Sequence, residues 1–127
     1  MTLLISDWHR QLGRASRRLG QALERLEDLD GRPSPANLAA CDEVVAAGAD
    51  VVDWIEAHPC PDPGGGDLVL EWTALRVEQA DAARALLTAE DPDRVASANV
   101  RHLELMARLQ VIEAVLATWR WRYQPAD

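Results

Sequence analysis

The sequence predicts an all-α fold, specifically a four-helix antiparallel (up-down-up-down) bundle with an overlong C-terminal helix. Three observations carry that expectation. Apolar residues recur at three- and four-residue spacings in four segments, Ser/Asp, Pro and Gly punctuate the boundaries, and the connections at 31–34 and 90–92 are short enough to force antiparallel hairpins. The expected helices are about 6–30, 35–57, 68–90 and 92–123. Together they form one domain, since 127 residues suffice for a single core.

The first helix repeats Trp8, Leu12, Ala15, Leu19, Ala22, Leu26 and Leu29 on one stripe. Ser6 is its candidate N-cap, and Gly31 followed by Pro33 stops it. The second starts with Ser34 as cap and Pro35 in the first turn. Its two adjacent stripes, Leu38/Cys41/Val45/Val52/Ile55 and Ala40/Val44/Ala47/Val51/Trp54, imply burial on two sides. It must end by His58, because Pro59, Pro61, Pro63 and the glycines 64–66 cannot easily continue it.

Asp67 is the expected cap of the third helix, whose stripe is Leu68, Trp72, Leu75, Ala82 and Leu86 with Gln79 as a polar intruder. On this reading Gly64, Gly65 and Gly66 are a flexible linker. The fourth helix follows the Asp91–Pro92 break and places Val95, Ala98, His102, Leu105, Leu109, Ile112, Leu116, Trp119 and Tyr123 on one stripe. Spanning about 48 Å against roughly 35 Å for its neighbours, it should overhang them.

Composition narrows the function classes. The net charge is −8, and every basic residue is arginine, a bias that a high-GC bacterial genome explains. Residues 33–100 hold thirteen acids against three arginines, so the middle helices should carry the acidic surface. Such a chain repels phosphate backbones, which disfavours nucleic acid as a partner. No apolar run approaches the ~20 residues that cross a bilayer, and no signal-peptide pattern is present, so a cytoplasmic protein without a membrane anchor is expected. Cys41 and Cys60 flank a long helix, beyond disulfide reach, and are expected as reduced thiols.

No catalytic group converges. The four serines (Ser6, Ser16, Ser34, Ser97) lie in no nucleophile elbow, and a non-catalytic protein is expected. Glu56, His58, Cys60 and Asp62 lack metal-site spacing, and no Glu-x-x-His pair supports di-iron chemistry, so neither cofactor nor metal is expected. His102 reads as a core histidine.

The informative residues are the tryptophans. In the expected bundle Trp8, Trp54, Trp72, Trp119 and Trp121 gather at one pole, either as an aromatic plug that closes the core or as a binding site, and a crossover in place of a hairpin at 59–66 would take Trp72 out of the group. Each buries some 150–250 Å² and needs a partner for its indole N–H. Trp54, Trp72, Trp119 and Tyr123 are candidate pocket residues. Trp121 is rotated about 200° from Trp119 and flanked by Arg120 and Arg122, so these three, with Trp8, are the candidate partner contacts. On helix 1, Gly13, Ser16 and Gly20 share a face that fits close helix approach or a flat groove for a partner helix. Arg10, Arg14, Arg17, Arg18 and Arg25 run down the same helix as a solvated or acid-seeking face.

The expected function is a protein-protein interaction module, a small accessory or regulatory subunit, self-associating because the second and fourth helices carry more apolar surface than one core can cover. Two alternatives stand beside it. One is a small-molecule binder or enzyme with a pocket among the tryptophans. The other is an acidic inhibitor imitating nucleic acid with Asp42, Glu43, Asp50, Asp53, Glu56, Glu71, Glu78 and Asp81.

Overall fold

A computed structural model describes residues 5–28, 32 and 34–123, with the side chains of 5, 6, 63 and 119–123 outside the description. The described residues form five helices and no strand: α1 (Ile5–Ala15), α2 (Arg17–Glu27), α3 (Pro35–Ala57), α4 (Pro63–Thr88) and α5 (Pro92–Tyr123). One core runs through all of them, from Trp8 and Leu12 through Leu19, Val44, Val51 and Leu75 to Leu105, Leu109 and Leu116.

The expected first helix is two. Ser16, at φ −94° and ψ 3°, leaves helical geometry between α1 and α2, and its hydroxyl bonds back to the Gly13 carbonyl at 3.4 Å. Glycine and serine are weak helix formers, and a hydroxyl bonded to the preceding turn bends a helix. The stripe nonetheless keeps its phase. Ser16 N–H still donates to Leu12 O and Gly20 N–H to Ser16 O, so Trp8, Leu12, Leu19 and Ala22 are all buried. Ser6 lies within α1 rather than capping it, and the stop at Gly31 and Pro33 lies outside the described residues.

The start of α3 is as expected, with the Ser34 hydroxyl accepting from Asn37 N–H at 3.2 Å and Pro35 in the first turn. The expected start of α4 is corrected. It begins at Pro63, behind Asp62 rather than Asp67, and takes in all three glycines. Gly65 and Gly66 are buried, and a Cβ on Gly66 would stand 2.9 Å from Cys60 Cβ. Gly66 therefore lets the loop at Cys60 pack onto the first turn of the helix, and the three glycines are helical rather than a linker. With α4 lengthened to 26 residues against 32 in α5, the expected overhang of the last helix shrinks accordingly.

Helices adjacent in sequence pack together, α2 on α3, α3 on α4 and α4 on α5. Ion pairs record their opposed directions. Arg84 near the end of α4 reaches Asp42 near the start of α3 at 3.0 Å, and Arg101 early in α5 reaches Asp81 late in α4 at 3.2 Å. The α3–α4 seam is tight at Gly48, where an added Cβ would collide with Val77 Cγ2. Arg18 crosses from α2 to Glu43 at 2.5 Å and Asp50 at 2.8 Å on α3, so part of the arginine row serves the chain's own acids. No described helix is long and apolar enough to cross a membrane.

In urea denaturation Gly48→Ala loses about 1–3 kcal/mol, because β-branched Val77 is stiff in a helix and cannot readily yield. Gly13→Ala, with open space around the new methyl, gains about 0.5–1 kcal/mol instead. The Arg18 hydrogen bond also holds the Glu43 carboxyl below its ordinary range. That contribution is complete above the ordinary carboxylate range and is lost as pH falls through the depressed value. Glu43→Gln therefore flattens the acid limb of a denaturation-midpoint profile measured against pH.

Candidate functional site

The end of the molecule where α1 begins and α3 ends holds two of the tryptophans in contact. Trp8 and Trp54 lie 5.9 Å apart between ring centroids, and His58 stacks on Trp54 at 4.6 Å and 15°. Trp8 is 0% exposed and donates its indole N–H to His58 O at 2.7 Å. Its expected role as a partner contact is therefore corrected: Trp8 presents no surface and ties α1 to the last turn of α3. Trp54 is half-buried beside it. α5 carries Trp119, Arg120, Trp121, Arg122 and Tyr123 in its last five residues, and their side chains lie outside the description.

Trp72 belongs to a different arrangement. Half-buried on α4, it donates its N–H to Glu113 of α5 at 3.2 Å, and the Arg76 guanidinium lies 5.5 Å from its ring centroid. Arg76 in turn donates to the same Glu113 oxygen at 2.5 Å and to Gln79 at 2.9 Å. This network ties α4 to α5 and consumes the polar groups of both.

In front of it lies a cleft of about 570 Å³. Leu12, Ser16, Leu19 and Gly20 form one wall, Val51, Val69 and Thr73 the floor, and Trp72, Glu113, Leu116 and Ala117 the other wall. Among the described residues α2 packs on α3, α3 on α4 and α4 on α5, and this cleft lies between α1–α2 and α5 with α3 and α4 behind it. The Thr73 hydroxyl is spent on Val69 O at 2.8 Å. Since Glu113 is also engaged, the cleft offers chiefly apolar surface.

Gly20 explains part of the opening, for nothing lies within 4 Å of a Cβ built on it, and Ser16 beside it is small. Within the chain the close helix approach falls at Gly48 and not on helix 1, where Gly20 and Ser16 border a groove and Gly13 faces open space. Farther along the same seam a recess of about 140 Å³ is lined by Leu23, Leu26, Glu27, Arg76, Gln79, Ala83 and His102. His102 Nδ1 and Arg76 Nε are buried there without a hydrogen-bond partner among the described residues.

The remaining candidates offer less. Cys41 and Cys60 are free, and burial raises both thiols above their usual range, which works against thiolate chemistry. Among the described residues no group of His, Cys, Asp or Glu is arranged to hold a metal ion. Of the acids that nucleic-acid mimicry would use, Asp42, Glu43, Asp50, Glu71 and Asp81 pair with arginines of the same chain, which breaks up the row of carboxylates. No protein-family model, curated protein or solved structure matches the chain.

Trp8→Phe should cost about 1–3 kcal/mol in urea denaturation, since it strands the His58 carbonyl and leaves a void. Trp54→Phe, at a half-buried position, should cost less in the same measurement.

Proposed function

We propose that this chain is a helical interaction module, an up-down bundle with one seam left open, which receives an apolar face of a partner helix in the cleft between α1–α2 and α5. The observation that carries this reading is the cleft itself, lined by Leu12, Leu19, Val51, Val69, Trp72 and Leu116 and bordered by Gly20. A helix is about 10 Å across and occupies on the order of 400 Å³ per turn, so a 570 Å³ cleft takes the inward half of two to three turns. Helix-in-groove recognition works in this way, with anchors at i, i+3/i+4 and i+7 supplying the burial.

Arg120, Trp121 and Arg122 follow Ala117, the last groove-lining residue of α5, by three to five positions. On this reading they extend the contact beyond the apolar slot, the arginines pairing with acids on the partner. The activity is recognition rather than catalysis, as expected of a small accessory or regulatory subunit. A small apolar molecule is the second reading, favoured by a volume within the roughly 300–1,000 Å³ of ordinary ligand sites.

Gly20→Leu tests the proposal because it fills the cleft without crowding the fold. Wild-type and variant proteins are used as baits in lysate of the native host, with denaturation midpoints measured alongside. The proposal expects a stoichiometric partner bound by the wild type, lost with Gly20→Leu at equal or higher stability, and weakened at least about tenfold by Trp121→Ala. A folded Gly20→Leu variant that holds the partner as tightly as the wild type would refute the groove as its site.

A further inference from the structure

On α5 the residues Leu105, Leu109, Ile112 and Leu116 are buried, yet large apolar residues also lie on the other side. Val100, Leu103 and Val111 are 54%, 60% and 65% exposed. At about 100° per residue, Ala96, Val100, Leu103, Ala107, Val111, Ala114 and Thr118 fall within a sector of roughly 80°, centred about 170° from the core stripe. All seven positions are exposed and none carries a charge. The one hydroxyl among them is spent, since Thr118 donates to Ala114 O at 3.1 Å. The result is an apolar strip about 33 Å long with the three- and four-residue spacing of a helix-pairing seam, and monomers seldom expose such a strip without using it.

We propose that this strip is a homodimer interface in which α5 pairs antiparallel with α5 of a second copy, about a two-fold axis at Ala107. Two features point to a second copy of this chain in that orientation. About Ala107 the strip is self-complementary: Leu103 of one copy faces Val111 of the other, Val100 faces Ala114, and the small residue at the centre permits close approach. The charges also match. Glu104 and Arg108 lie on the same edge of the strip, one turn apart. Antiparallel helices bring like edges together, so Glu104 of each copy lies within reach of Arg108 of the other, twice over.

A parallel pair sets that edge against Asn99, Met106, Gln110 and Glu113, of which only Glu113 is charged, and it is already held by Trp72 and Arg76. Arg108 is available for the exchange, because its contact within the chain, to Glu71, is a loose 3.9 Å. The cleft lies on another side of α5, at Glu113, Leu116 and Ala117, so a dimer formed in this way leaves it open. A single helix pair of this length is at the small end of specific interfaces, which makes the association concentration dependent.

Sedimentation equilibrium of the full chain over roughly 1 µM to 1 mM reads the association directly. The expected result is a monomer–dimer equilibrium that Leu103→Glu weakens at least about tenfold while the circular dichroism spectrum is kept. Glu104→Arg and Arg108→Glu each weaken it about threefold, and the double reversal restores it, since the pairs are then re-formed with their signs exchanged. In a Cys60→Ser background, Ala107→Cys gives a disulfide-linked dimer on mild oxidation and Ala114→Cys does not. A chain that stays monomeric throughout, or a dimer indifferent to Leu103→Glu, overturns the proposal. Cross-linking at both cysteine positions overturns the antiparallel arrangement. Gly20→Leu leaves the dimer intact, which separates this proposal from the groove reading.

Discussion

The seam between α3 and α4 closes because residue 48 has no side chain. Gly48 lets the two helices approach until Val77 fills the space a Cβ would take, and the rest of the architecture hangs from that contact. α3 becomes the spine through one broad buried face, Val45 of its expected first stripe being exposed. Besides α4 that face receives α2 and the indole of Trp8, which bonds to the carbonyl of His58, the residue that ends the helix. α4 passes the packing on to α5 through Glu113, which accepts from both Trp72 and Arg76. Packed in this order, the helices meet along successive seams. The last of them, between α1–α2 and α5, is left as a cleft.

That opening has physical causes on both walls. Gly20 and Ser16 put little bulk on one side, and the break at Ser16 interrupts the helix that would have to lie flat against α5. On the other side Glu113 is turned to α4 and does not bridge the gap. What is exposed is apolar surface with its few polar groups already satisfied. Such a surface gains most from an apolar partner and little from a charged one, which is the physical basis for the recognition we propose. Part of the acidic character of the middle helices is answered within the chain, Glu43 and Asp50 by Arg18, Asp42 by Arg84 and Asp81 by Arg101.

The helices were legible in the sequence where local grammar and burial agree. Ser34–Pro35 and Asp91–Pro92 mark real starts, and the stripe from Trp8 to Ala22 is buried as its spacing implies. Asp62–Pro63 has the same grammar and marks a real start too. Three glycines, poor helix formers, hide it in the sequence, and only at Gly66, which must clear Cys60, does packing require one. The break at Ser16 was hidden for the opposite reason, since the apolar phase runs through it unchanged.

Gly13 and Gly20 face open space within the chain, whereas the close approach falls at Gly48, in an alanine-rich run with no local signal of it. The Trp8–Trp54 contact lies where the hairpin layout put it, but a sequence states which residues are apolar and not which seams they will close. The cleft follows from packing order and was beyond reach. Only the suggestion of a groove beside Ser16 and Gly20 came near it.

Methyl-resolved NMR of the free protein titrated with an anilinonaphthalene sulfonate dye tests the open seam most directly. The account predicts shifts concentrated on the methyls of Leu12, Leu19, Val51, Val69 and Leu116. Shifts confined to the outer face of α5 at Val100, Leu103 and Val111, or absent altogether, would contradict it.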